Sequence, residues 1–204
     1  MRYIYLHGFA SGPASRKAVA LGEAFSRRGL RLEIPALDAG NFENLTISGQ
    51  LAILENTLQN QPACLIGSSM GGYLAAFYAS KHPEVTRIVM LAPAFNFIPR
   101  WLARADPEGH WASSGWLDVY HYGSKTTRRL HFGLIEDARQ YPGMPGFTQP
   151  GLILHGSGDE TVPVEESRTF VATHPNCLLR EFDSDHELGN VLTELAGETL
   201  HFLL

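Results

Sequence analysis

The stretch "LIGSSMGGYLAA", residues 65–76, sets two serines and three glycines where an apolar run passes into a helix-forming one. Before it, "ACLI" reads as a short strand. After it, "YLAAFYA" is rich in helix formers. Gly67-Ser68-Ser69-Met70-Gly71 fits the pattern G-x-S-x-G with Ser69 at its centre. A strand that turns sharply into a helix leaves one residue at the apex in a strained conformation. Glycines two positions to either side, Gly67 and Gly71, remove the Cβ atoms that would collide. The apex hydroxyl then projects from a sheet edge beside a helix N-terminus, whose dipole favours developing negative charge. Ser69 is the candidate nucleophile and Ser68 the ordinary intervening residue. Taken alone, the motif also fits a strand–helix turn without chemistry.

A serine hydroxyl is a weak nucleophile at neutral pH and needs a base, with an orienting group behind that base. "HGSGDETVP", residues 155–163, puts Asp159 just past an apolar strand, and "DSDHEL", residues 183–188, puts His186 just past the last strand. Each of the three residues follows a different strand, so all can converge on one sheet edge. Asp159 alternatively caps the helix that begins near Val164, and Asp183 or Asp185 is the alternative acid. The other histidines have plainer readings. His7 and His155 sit in "HG" turns, His82, His174 and His201 near helix ends or the terminus, and His110, His121 and His131 at spacings that suit no metal motif. No metal site is expected. The tetrahedral intermediate needs donors as well. "LHGFASGP", residues 6–13, offers the N–H of Phe9 or Ala10, and Met70, one past the nucleophile, offers the second. "HGF" reads equally as a simple tight turn.

Outward from this core the chain alternates strand and helix. Short β-rich runs lie at residues 2–7, 30–35, 63–68, 87–93, 151–156 and 177–182. Between them, Ala18, Leu21 and Phe25, and Ile47, Leu51, Leu54 and Leu58, recur at helical spacing, the second set with Thr46 or Asn44 as its cap. Residues 73–81, 165–173 and 188–203 form further helical patterns. Such alternation predicts a parallel sheet covered on both faces, with chemistry at the carboxyl ends of the strands. Residues 95–149 break the rhythm: no clear strand, yet all three tryptophans. This stretch is expected to be a helical cap inserted into a single domain spanning 1–204. Met144 and Phe147 on its return are expected to help line an apolar acyl pocket.

Composition narrows the function classes. The 204 residues carry a net charge of −5 and no basic block, which argues against nucleic acid. Arg27-Arg28 and Arg128-Arg129 read as solvated helix ends. Cys64 and Cys177 lie in apolar runs and read as buried thiols. The N-terminus lacks a signal-peptide pattern and no run approaches a membrane span, so a cytoplasmic protein without membrane insertion is expected.

"YLHGF", "IGSSMGGYLA", "LHGSGDETVP" and the late "DH", in this order over nearly the whole chain, resemble the α/β-hydrolase superfamily. The short length and "GSSMGGY" most resemble its small bacterial esterases of the YqiA-like group. The resemblance implies an α/β-hydrolase fold with strand order 2-1-3-4-5-6. It also implies Ser69 as nucleophile, Asp159 as acid, His186 as base, and Phe9 and Met70 as oxyanion donors. The cap does not map onto a subfamily. The expectation is a serine hydrolase acting on a small-molecule acyl ester, with no cofactor. Among thioesters, an acyl-CoA substrate would favour a basic patch, for which Arg100, Arg104, Arg128 and Arg129 are candidates that also read as a solvated face. An aminopeptidase would want an acidic group such as Glu108 or Asp118. A non-catalytic binding protein on the same fold is the rival from another class. The oligomeric state is left open.

Overall fold

The computed structural model describes residues 1–204. Its central sheet has six strands: β1 (Arg2–Leu6), β2 (Leu32–Glu33), β3 (Ala63–Ser68), β4 (Val85–Leu91), β7 (Gly151–Gly156) and β8 (Cys177–Phe182). They lie in the order β2-β1-β3-β4-β7-β8, every neighbouring pair parallel. Counted over the sheet alone, this is the expected order 2-1-3-4-5-6. The interior strands are apolar almost throughout because both faces are covered. β8, at one edge, is only half buried, and β2, at the other, shrinks to two residues.

The period of two sorts side chains between two apolar layers. Ile4, Leu6, Leu65 and Ile153 face one layer, shared with α2 (Ile47–Leu58), α3 (Met70–Ala79) and α7 (Val164–Thr173). Tyr5, Ile66, Leu152 and Leu154 face the other, shared with α1 (Arg16–Ser26) and α8 (Leu192–Leu203). Thr46, of the two candidate caps, accepts from the N–H of Gly49 at 2.9 Å and starts α2. After β1 the chain moves to β2 on one side, and after β3 to β4 on the other. The strand order therefore reverses direction between β1 and β3, the switch point at whose carboxyl ends sheets of this kind place their chemistry. No helix is long and apolar enough to cross a membrane.

The segment between β4 and β7 corrects the expectation of an all-helical insertion. It contains α4 (Phe97–Ala105), α5 (His110–Ser114) and α6 (Gly133–Ala138), but also an antiparallel hairpin, β5 (Trp116–His121) and β6 (Thr126–His131). Leu117 and Leu130 are paired across its buried face, while Trp116, Asp118, Tyr120 and Arg129 occupy the other. Polar and aromatic residues thus interleave with the apolar ones and hide the strands. Arg128 and Arg129 lie in β6 and not at a helix end. Arg128 stacks over Phe42 at 5.6 Å and Arg129 over Trp116 at 4.2 Å. Trp111 is buried beneath the hairpin and donates from Nε1 to the carbonyl of Leu130.

Three contacts fasten this segment to the sheet. At its neck, Asn96 N donates to Gly143 O, and Asn96 and Arg100 both bind the Glu166 carboxylate of α7. Asp137 of α6 accepts from the N–H and hydroxyl of Ser48 in α2. The hairpin tip donates from Tyr122 N to Ala10 O at 2.7 Å. The placement of Phe147 is a second correction. Its ring packs against Gly151 at the amino end of β7, the end of the sheet opposite Ser69, because a Pro/Gly-rich return does not disclose which sheet edge it crosses.

A Cβ on Gly71 would sit 2.1 Å from the carbonyl oxygen of Leu6, backbone that cannot yield. Gly22, inside α1, has nothing within 4 Å. Gly71→Ala is therefore expected to lose more than about 3 kcal/mol or fail to fold. Gly22→Ala should gain about 0.5–1 kcal/mol. Chemical denaturation of the pair checks both.

Candidate active site

Ser69 stands between β3 and α3 with φ 53° and ψ −116°, a region that non-glycine residues seldom occupy. Its own backbone holds it there. The N–H donates to Leu91 O at 2.8 Å, and the carbonyl accepts from Gly72, Tyr73 and Ala94. The flanking glycines act as the motif requires. A Cβ on Gly67 would meet Gly71 O at 2.1 Å, and one on Gly71 would meet β1. Gly72, to which the motif assigns nothing, also sits tightly: its Cβ would lie 3.1 Å from both Gly67 O and the Pro93 side chain.

The loops after β7 and β8 bring Asp159 and His186 to this apex. His186 Nε2 lies 3.1 Å from Ser69 Oγ, and its Nδ1 lies 2.7 Å from Asp159 Oδ2. The other carboxylate oxygen accepts from the N–H groups of Thr161 and Val162, each at 2.8 Å. Asp159 thus closes its own turn, and does not cap α7, which begins after Pro163. Asp185 accepts from Glu187 N in its own loop, so the acid that meets the imidazole is Asp159. Burial of the Asp159 side chain favours the neutral acid. The hydrogen bonds from His155 and His186, the charge of His186 and the Val162 N–H outweigh it and hold the carboxyl well below the usual carboxylate range.

The loop after β1 crosses directly beside the serine: a Cβ on Gly8 would lie 3.5 Å from Ser69 Cβ. His7 shapes this loop. Its Nε2 accepts from Leu37 N at 3.1 Å, so Nδ1 carries the proton and donates to Gly8 O at 3.0 Å. Ala10 has φ 52°, which turns its carbonyl to the hairpin tip. The N–H groups of Phe9 and Met70 donate to no protein atom. The Phe9 ring packs edge-on to Trp101 at 4.4 Å and against Phe42 at 5.5 Å.

Two buried polar residues here escaped the reading of the motifs. Lys17 of α1 donates from Nζ to the carbonyl of His186 at 3.3 Å, with Glu187 at 3.8 Å. Its signal was a lysine one helical turn before Leu21, on the apolar stripe. His155 contacts Asp159 directly at 3.1 Å. Its signal was a histidine ending an otherwise apolar run, which must find partners once buried. Three of the four basic candidates for an anionic substrate are engaged elsewhere, Arg100 by Glu166 and Arg128 and Arg129 by aromatic rings, while Arg104 is exposed at the end of α4.

The model of the family described as uncharacterised protein family UPF0227 matches residues 2–203. Palmitoyl-protein thioesterase ABHD10, mitochondrial, from Bos taurus is 26% identical over 210 residues, covering 91% of this chain. The chain spans 66% of that relative's length. Among solved structures, alpha/beta hydrolase domain-containing protein 10 from mouse superposes with a TM-score of 0.82 at 21% identity, over 98% of this chain and 88% of its own. Est1E from Butyrivibrio proteoclasticus does so at 0.79 and 20%, over 98% and 86%. The fold is that of the α/β hydrolases.

Burial holds the titration of His7 below its ordinary range, with the Gly8 carbonyl and Asp38 opposing and His121 reinforcing. The unfolded chain then binds protons first as pH falls below about 6.5, and stability falls with it. His121 shifts in the same direction. Denaturation midpoints measured from pH 7 to pH 5 should decline in the wild-type protein. In His7→Asn, which keeps a donor for Gly8 O, that decline should be shallower, with His121 supplying what remains.

Proposed function

The chain belongs to the uncharacterised protein family UPF0227, and on that premise we propose that it is a serine hydrolase cleaving carboxylic esters through an acyl-enzyme. One observation carries the reading: a single imidazole bridges the Ser69 hydroxyl at 3.1 Å and the buried Asp159 carboxylate at 2.7 Å. His186 Nε2 takes the Ser69 proton as Oγ attacks the carbonyl carbon. Asp159 accepts from Nδ1–H, fixing the tautomer and stabilising the imidazolium that forms. The free N–H groups of Phe9 and Met70 receive the oxyanion. His186 then protonates the leaving alcohol and activates the water that releases the acyl group. No step calls for a cofactor.

The acyl side is assigned to the wall formed by Phe9 and Trp101, with α4 and the β5–β6 hairpin serving as its roof. A small-molecule ester with a partly apolar acyl group suits such a wall. Est1E, a neighbour in fold, has been solved with ferulic acid bound. A second reading, thioester cleavage, is favoured by the bovine relative, a palmitoyl-protein thioesterase. The triad is the same and only the leaving group differs.

Ser69→Ala should lower p-nitrophenyl butyrate turnover by a factor on the order of 10⁴ or more and abolish fluorophosphonate labelling. Asp159→Asn should lower kcat by roughly 10³–10⁴ with the fold retained. Undiminished turnover in Ser69→Ala would remove the mechanism. A chain-length series of oxygen esters run beside the matching acyl thioesters separates the two readings by kcat/KM.

A further inference from the structure

The mechanism leaves one fully buried titratable side chain unused. His155 ends β7 with no exposed surface, and its ring is bonded at both nitrogens. Nε2 lies 3.1 Å from Asp159 Oδ2 and 2.9 Å from the carbonyl oxygen of Val162. Both neighbours are acceptors, so Nε2 must carry a hydrogen shared between them. Nδ1 lies 2.7 Å from the hydroxyl of Ser167, which is itself fully buried on α7. In the neutral Nε2–H ring, Nδ1 accepts and Ser167 donates, so every polar atom of the pair is satisfied.

We propose that His155 is a positioning residue, a fourth member behind the triad that donates to the same carboxylate oxygen as His186 and holds it facing the catalytic ring. The assignment deepens the hydrolase reading and rests on it. Asp159 then receives four donors: the two imidazoles on Oδ2 and the Thr161 and Val162 N–H groups on Oδ1. The two backbone bonds fix one oxygen. His155 stops the other from swinging away from His186, and Val162, which donates to Oδ1 and accepts from His155, closes the ring of contacts. The extra donor also takes up part of the negative charge of the carboxylate. It thereby limits how strongly the carboxylate stabilises a protonated His186, and so how basic the catalytic imidazole becomes.

The consequence is a defined pH signature. The acid limb of kcat/KM belongs to His186, which Ser69 faces from the start of α3, Asp159 from the loop after β7, Lys17 from α1, and Asp185 and Glu187 from its own loop. Of these, only Asp159 is in contact with His155. His155→Phe removes the donor and keeps a ring in the space. It should move the acid limb by about half a unit or more, upward where the freed carboxylate charge dominates and downward where Oδ2 turns away from His186. It should also lower kcat by about tenfold with KM little changed, because the base is less well aimed. His155→Gln, whose amide nitrogen stands near the place of Nε2, should restore both. A residue that merely fills the core would lose melting temperature in the two variants and leave the limb where it was.

A wild-type measurement stands beside the variants, since a core substitution can prevent folding. In protein labelled with ¹⁵N-histidine, the resonance absent from His155→Gln, or assigned through the backbone if that variant does not fold, should show the ring proton on Nε2 in the neutral tautomer. A neutral Nδ1–H ring, or an acid limb unmoved in His155→Phe, overturns the proposal. The tautomer is read without substrate, so its failure is distinct from failure of the hydrolase reading, which is decided by Ser69→Ala.

Discussion

The close passage of three backbones at the carboxyl ends of β1, β3 and β4 governs the rest of the molecule. Gly67, Ser69 and Gly71 turn within a space so narrow that a methyl group at either glycine would enter a neighbouring carbonyl. The strained φ of Ser69 is held by its N–H bond to the Leu91 carbonyl and by the bond its own carbonyl accepts from Ala94, and the well-packed sheet sustains that strain. Any loosening of β1 against β3 would let the serine relax toward ordinary backbone geometry and withdraw its hydroxyl from the imidazole. Stability of the sheet and aim of the hydroxyl are thus one property.

Around that apex the fold divides labour by strand. The loop after β1 provides unengaged N–H groups, the turn after β3 the hydroxyl, the loop after β7 the carboxylate, and the loop after β8 the imidazole. These groups can meet because parallel strands deliver all their carboxyl ends to one edge. What fixes three of the four is a buried polar residue: His7 for the first, His155 and the Val162 turn for the third, Lys17 reaching across from α1 for the fourth. The site is rigid through polar groups that the apolar layers seal from water, where each bond is stronger and each missing partner more costly.

The parts of this arrangement legible in the sequence were those with a local signature. Buried parallel strands show as short apolar runs, and the glycines around Ser69 mark a turn that few other residues permit. Asp159 and His186 could be placed because each follows such a run. The hairpin was not legible, since Trp116, Asp118, Tyr120 and Arg129 alternate with Leu117, Val119 and Leu130 and blur any apolar run. Phe147 was misplaced because sequence distance does not say which edge of a sheet a return crosses. His155 and Lys17 carried a signal, a polar residue on an apolar stripe, but its meaning lay in partners that only the folded chain supplies.

The bond from the tip of the hairpin to the carbonyl of Ala10 joins two segments more than a hundred residues apart. The carbonyl it engages belongs to the residue after Phe9, so the stretch between β4 and β7 braces the loop after β1 one residue beyond the Phe9 N–H. Substrate choice and carbonyl activation are usually separable on such scaffolds, one lodged in the inserted piece and the other in the barrel-less sheet below. Here one hydrogen bond ties the two pieces together. Exchanging the inserted piece would free the loop after β1 from that tie unless the replacement offered an N–H at the same place.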